Sequence, residues 1–153
     1  MASRIDTLIP IALFYGWLFV LYWVHRLAHA VPLLRQFHID HHMYILRTRS
    51  PQRWHWSNLF LFNDTYKSTI DLWITEVVPT VVFAAVFDTW EIAAFYYVWA
   101  AIFQEELEHN EKVNLPFFTF GRWHLVHHEH HRVNFGLFTD IWDTVFGTNR
   151  PLP

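Results

Sequence analysis

Residues 7–24 carry no charged side chain, and the apolar run continues at helical spacing to His29. A helix of those 18 uncharged residues is long enough to cross the hydrocarbon core of a bilayer. The other place to hide such a helix is a protein interior. A chain of 153 residues has too little remaining mass to surround it, so the run is read as a membrane span. Hydrophobic residues make up 53% of the chain and aromatic residues 20%, yet mean hydropathy is only +0.11. Apolar segments must therefore be set against a polar remainder, and that remainder holds twelve histidines. A net charge of −3 gives no bulk attraction to nucleic acid. The absence of cysteine excludes disulfides, thiolate nucleophiles, cysteine-type zinc sites and iron–sulfur ligation. Any metal is held by nitrogen and oxygen.

Residues 1–6 form a polar start without the basic stretch of a signal peptide. Val31-Pro32 ends the first helix. Residues 33–46 are expected to form a short helix at the membrane surface, with Phe37, Met43, Tyr44 and Ile45 toward lipid or core. Residues 47–57 read as a loop around Pro51. Asn63-Asp64 is a candidate cap for a long helix reaching Phe87, kinked at Pro79. Asp88-Thr89 makes a break, and Asp88 with Glu91 matches a capping box for a further helix from Trp90 to about His109. The uncharged runs in these two helices are 11 residues (77–87) and 12 residues (92–103), lengths that also suit a re-entrant hairpin. Each whole helix is about 20 residues, or roughly 30 Å, and two spans are expected. The fold class is all-α: one integral-membrane helical domain over residues 1–153, with about three spanning helices and a histidine-rich helical cap.

Charge orients this arrangement. With three spans, one side holds only Arg4 of the eleven Lys and Arg residues, and the other ten lie on the opposite side. By the positive-inside rule that opposite side is cytoplasmic. All twelve histidines fall on it. The expected location is thus a multi-pass membrane protein with its histidines facing the cytoplasm.

Those histidines come in sets. His124, His127, His128 and His131 stand at i, i+3, i+4 and i+7, one face of a helix. His38, His41 and His42 repeat the same x2 spacing. His25 and His29 are at i, i+4 near the end of the first helix, as are Glu105 and His109 near the end of the third. Neutral imidazole is a common metal ligand, and side chains packed this densely would repel if protonated. His25, His29, His38, His41, His42, His109, His124, His127 and His128 with Glu105 make ten ligands, too many for one ion and suited to two. Nitrogen-rich sites accept iron, copper or zinc, so spacing alone does not choose the metal. Asp40 and Glu129 lie between ligands and either orient imidazole N–H groups or are solvated. Glu106 and Glu108 point elsewhere than Glu105. His55 is read as structural, and Asn134 as a cap or a partner of a ligand histidine. Trp17, Trp23, Trp73, Trp90 and Trp99 are read as belt or core residues.

The order His-x3-His, His-x2-His-His, a hairpin, a further His, and His-x2-His-His resembles the fatty acid hydroxylase/sterol desaturase superfamily. Asn134-Phe135-Gly136 and the tail Trp142-Asp143-Thr144-Val145-Phe146-Gly147-Thr148 strengthen the likeness, which covers about residues 25–151. The resemblance implies a membrane-bound non-haem diiron enzyme that hydroxylates or desaturates an unactivated C–H bond of a lipid, using O2. It puts two iron ions on the nine histidines, with zinc as a substitute in purified material. It implies a hydrophobic substrate such as an acyl chain or sterol. Electrons would come from a separate donor of the ferredoxin, rubredoxin or cytochrome b5 type, since no flavin or haem motif is present. The chain departs from the family pattern in three ways. Glu105 stands where relatives commonly have His. A single span precedes the first box, and a partner protomer in a homo-oligomer would replace the missing helix. His127, His130 and His131 offer an alternative register, and His131 is read as steadying a ligand. The alternatives are a zinc-dependent membrane hydrolase and a non-enzymatic metal-binding membrane protein.

Overall fold

The computed structural model describes residues 4–48, 53–115 and 117–151, with side chains from residue 8 onward. Among the described residues every regular element is helical, apart from one isolated bridge between Phe118 and Thr139. Helix α1 spans Arg4–Ala30 and α2 spans Pro32–Thr48. Pro32 opens α2 at its first position, where the missing N–H costs nothing. A 3-10 turn follows at Trp56–Phe60, capped by the His55 ring, which accepts from Ser57 N. The structural reading of His55 fits this role. The loop around Pro51 lies outside the described residues.

The next two rods each contain a π turn. In the first, α3 (Tyr66–Leu72) passes through Trp73–Val77 into α4 (Val78–Phe87). In the second, α5 (Trp90–Val98) passes through Trp99–Phe103 into α6 (Gln104–Leu107). Val78 N bonds Trp73 O, and Gln104 N bonds Trp99 O, each five residues back. Pro79 sits at the start of α4. The irregularity it demands is thus taken up by the π turn before it. The α3 cap is Thr65, whose hydroxyl accepts from Ser68 N, not Asn63-Asp64. Asp88 adopts φ 52 as the left-handed end of α4, and Thr89 precedes α5 without a side-chain cap bond. The expected Asp88–Glu91 capping box does not form, because Asp88 is consumed in reversing the chain. Two short helices, α7 (Arg122–Glu129) and α8 (Ile141–Val145), complete the fold.

The rods meet around Trp17, which is fully buried and donates to Thr80 Oγ1 at 2.9 Å, tying α1 to α4. Trp142 from α8 packs on Phe19 and donates to Tyr15 O, fastening the C-terminal part to α1. Two helices, Leu8–Ala30 and Tyr66–Phe87, are long and apolar enough to cross a membrane. Only 28% and 39% of their windows are buried, so most of each faces outward, as a core helix would not. Val81, Val82, Val86 and Phe87 on α4, with Phe95, Val98, Ile102 and Phe103 on the opposite rod, extend this exposed apolar surface. The α5–α6 rod carries Glu91, Glu105 and Glu106 and is not among the two candidates.

Candidate metal centre

All nine histidines named from spacing converge in two groups. One is His25, His29, His38, His42 and His127; the other is His41, His109, His124 and His128. Within each group the ligand atoms lie within 4.8 Å of one another. The two His-x2-His-His motifs feed the groups in opposite senses. On α2, His38 and His42 enter the five-histidine group and His41 the other. On α7, His124 and His128 enter the four-histidine group and His127 the other. Positions i and i+4 are nearly aligned on a helix while i+3 is turned aside, so one motif serves two centres. The groups touch where the His42 and His128 rings stack at 4.1 Å.

Ring nitrogens approach closely inside each group. The Nε2 atoms of His25 and His38 stand 3.1 Å apart, those of His29 and His38 2.9 Å, and those of His38 and His42 3.0 Å. His29 and His127 are 3.0 Å apart. In the other group, His128 Nε2 is 3.1 Å from that of His109 and 3.0 Å from that of His124. The far ring nitrogens decide what these contacts are. His25 Nδ1 lies 2.8 Å from Phe135 O, and His127 Nδ1 lies 2.7 Å from Val133 O. His38 Nδ1 lies 2.9 Å from the Asp71 carboxylate. Carbonyl and carboxylate oxygens only accept, so each Nδ1 carries the proton and each Nε2 presents a lone pair. Lone pairs facing one another at 3 Å repel unless a cation lies among them. Imidazoles about 2.1 Å from one ion and at right angles around it stand roughly 3.0 Å apart. The residues present therefore fit a metal at each group.

Electrostatics agree. Burial pushes the pKa of His38 down to about 3, with His131 adding to the effect. Burial likewise takes His41 down to about 4, against a partial upward pull from Asp71. His42, His124, His127 and His128 are driven well below the ordinary histidine range, again chiefly by burial. Near pH 7 these rings are neutral, the form that binds metal.

Residues behind the ligands hold them in place. Asn134 is fully buried with φ 58, accepts from Arg150 N at 2.7 Å and donates to Arg150 O. Among the described residues its side chain makes no hydrogen bond to a ligand histidine. Instead it anchors the turn whose neighbours, Val133 and Phe135, offer their carbonyls to His127 and His25. Asp143 accepts from Phe135 N, Gly136 N and Thr148 Oγ1 at 2.6–2.8 Å. A Cβ added to Gly136 would stand 2.5 Å from Thr139 O and 2.7 Å from Asp143 Oδ2, so only glycine permits this closure. In the four-histidine group the outer nitrogens of His109 and His128 are buried without such partners among the described residues.

Other expected residues fall elsewhere. Glu105 belongs to neither group; its Oε2 is buried without a hydrogen-bond partner in the wall of an internal cavity. That cavity, about 30 Å³, is lined from both groups by His25, His38, His41, His109 and His124. Glu108 is buried beside it, with Oε1 3.9 Å from His124 Nε2 and Gln104 donating to its other oxygen at 2.8 Å. Asp40 accepts from Thr65 and pairs with Lys67, and Glu129 is exposed, so neither orients a ring. The carboxylate that does is Asp71, which sequence reasoning passed over. Its signal was available: an acid within an otherwise apolar helix is a functional candidate by default. The Val133 and Phe135 carbonyls carry no sequence signal at all. Helix α7 ends at Glu129, which breaks the expected four-histidine stripe. His131 nevertheless reaches back, with Nδ1 3.1 Å from His42 Nδ1.

The profile of the fatty acid hydroxylase family matches residues 10–148. The chain belongs to that family. It is 28% identical over 134 residues to a Delta(7)-sterol 5(6)-desaturase of Aspergillus fumigatus, covering 86% of this chain and 34% of that protein. To the Delta(7)-sterol 5(6)-desaturase of Leptosphaeria maculans it is 26% identical over 136 residues, covering 85% of this chain and 33% of the relative. The chain thus spans about a third of the length of these curated relatives. No solved structure matches it.

Proposed function

We propose that this fatty acid hydroxylase family member hydroxylates or desaturates an unactivated C–H bond of a lipid, using O2, at a two-iron centre on the cytoplasmic face of a membrane. One observation carries the reading: nine imidazoles arranged as two adjoining groups, with ring nitrogens facing one another about 3 Å apart. Iron bound there would supply the activation of oxygen that attack on an unreactive carbon requires. The nine histidines would hold the ions, with Nε2 the inward atom in His25, His29, His38, His42, His109, His124, His127 and His128. Asp71, Val133 O and Phe135 O keep three of those rings in the ligating tautomer. Five imidazoles on one side and four on the other leave room for further ligands at both positions. The cavity between the groups accommodates on the order of one water. Reducing electrons come from a separate protein donor, and the substrate enters from the bilayer.

The test is lipid profiling of cells that express the chain, beside a His127→Ala, His128→Ala control, with and without air. Oxygenated or newly unsaturated lipids should appear only with the intact chain and only in air. Profiles identical in all samples would overturn the proposal. Turnover without air would point to zinc-dependent hydrolysis. Two irons per purified chain are expected, and zinc in their place does not decide the native metal, because such nitrogen sites accept it readily.

A further inference from the structure

Residues 53–63 stand between α2 and α3 and carry one charge, Arg53, among Trp54, Trp56, Leu59, Phe60, Leu61 and Phe62. The segment is inside out for a loop in water. Trp56, Phe60 and Phe62 are 68%, 69% and 51% exposed, while the polar Asn58 is buried. We propose that residues 54–62 lie in the surface of the bilayer, at the boundary of headgroups and acyl chains on the histidine side, with these three aromatic side chains in lipid. The proposal rests on the Tyr66–Phe87 rod crossing the membrane. It needs no metal and no reaction.

The first argument is depth. Trp54 Nε1 donates to Ala101 O at 2.8 Å, and Trp73 Nε1 donates to Leu61 O at 3.1 Å. Each π turn thus supplies one anchor: Ala101 lies within Trp99–Phe103, and Trp73 opens Trp73–Val77. At ~1.5 Å per residue both anchors sit roughly 10 Å inside the rods, measured from Leu107 and from Tyr66. Tyr97 OH, deeper along its rod, donates to Leu59 O at 3.0 Å. The segment therefore runs beside the apolar rods and not beyond their ends. Amphipathic segments at a membrane surface bury their apolar faces by about 5–10 Å. The second argument is hydrogen bonding. Lipid offers the backbone no partners, so protein must supply them. Here it does. Besides the Leu59 and Leu61 carbonyls, Phe62 O accepts from Asn58 Nδ2 at 3.4 Å. His55 N donates to Asn58 Oδ1 at 2.6 Å, and Asn63 N to Thr69 Oγ1 at 2.9 Å. Side chains take the place that water holds in an exposed loop. The third argument is continuity. Tyr97 and Trp73, which hold the segment, are themselves exposed on the apolar outer surface of the rods. Trp and Tyr favour the membrane boundary, and Arg53 at the edge of the segment suits a headgroup phosphate. Anchored there, the segment sets the depth at which α2 presents His38, His41 and His42.

The chain contains no cysteine, so a nitroxide on one introduced thiol reports one position. Full-length Phe60→Cys, Val78→Cys and Glu129→Cys are labelled in phosphatidylcholine nanodiscs, where both faces meet solvent. Collisions with O2, which concentrates in lipid, are compared with collisions with a water-soluble nickel chelate. Val78 is exposed near the middle of the Tyr66–Phe87 rod, and Glu129 is exposed at the end of α7. The label at position 60 should follow the one at 78 and meet nickel several-fold less often than the one at 129. Nickel reaching position 60 as freely as 129, with 78 shielded, overturns the proposal and leaves the crossing intact. Nickel reaching position 78 overturns both. A label at 60 that meets neither probe is covered by protein, such as a second copy of the chain, and also overturns it. If Phe60→Cys does not elute as wild type from size exclusion, Trp56→Cys replaces it under the same criteria. No outcome depends on iron or turnover, so a failure of the oxygenase reading leaves this measurement readable.

Discussion

Asp71 lies inside a helix long and apolar enough to cross a membrane, yet its carboxylate reaches His38 Nδ1 at 2.9 Å. It keeps the proton on the outer nitrogen of that ring and leaves Nε2 free. Replacing it by Asn leaves the shape and removes the strong acceptor. Losses of such partners typically weaken metal affinity by roughly 10–100-fold. We expect Asp71→Asn to show this in chelator competition, while Asp40→Asn, whose carboxylate accepts from Thr65 and pairs with Lys67, stays near wild type. Gly136 tests the layer behind. A methyl group there collides with Thr139 O and Asp143 Oδ2, so the turn carrying Phe135 O must shift. Overpacking of this kind costs about 1–3 kcal/mol. Gly136→Ala should lower the thermal midpoint in detergent and weaken metal retention, because His25 loses its acceptor along with the turn.

At the scale of elements, the end of α7 decides which histidines ligate. The helix stops at Glu129, so His127 and His128 lie inside it and His131 beyond it. His127→Ala should therefore release the ion of the five-histidine group. His131→Ala should keep the full metal content, losing the contact to His42 Nδ1 and the ring stack on His29. Metal analysis of the two purified variants separates these outcomes. The helices themselves were legible, because apolar runs and the i, i+4 pairing of His25 with His29 are written locally. The division of each His-x2-His-His motif between two centres was not, since i+3 and i+4 share a broad face on a single helix and separate only when a second helix faces them. The π turns were also hidden. Pro79 marked the first only as a kink, and 99–103 contains neither proline nor glycine. Their effect is visible in the partners they attract: Ala101 O, inside the second turn, accepts from Trp54 Nε1 at 2.8 Å. Glu105 was read from its spacing to His109, but α6 ends at Leu107, so the regular helix that would align the two does not reach His109.

For the molecule as a whole, stability and topology both follow from burying many imidazoles at one end of apolar rods. Unfolded histidine binds a proton near pH 6.5, whereas folded His41 and His38 do so only near about 4 and about 3. Between those values the unfolded chain binds more protons, so stability rises with pH across that window and is lost as pH falls below about 6.5. Through these histidines, the metal-free protein should melt at progressively lower temperature as pH drops from about 7 toward 5. A flat profile through that range would mean that the rings are already solvated. Topology has a cleaner test, because the chain contains no cysteine and any introduced thiol is unique. If three rods cross, Asp88 lies on the side opposite every histidine; if the α4–α5 pair is a re-entrant hairpin, Asp88 stays within the bilayer or returns to the same side. The whole Tyr66–Phe87 rod of 22 residues measures about 33 Å, enough to cross. Its uncharged part, 77–87, is only half that length. Membrane-impermeant maleimide applied to intact cells should label Asp88→Cys and spare Arg35→Cys, with Arg35→Cys labelled only after the cells are opened. Labelling of both from the inside alone would reduce the number of crossings, and a thiol at position 88 that reacts from neither side would put the hairpin tip in lipid.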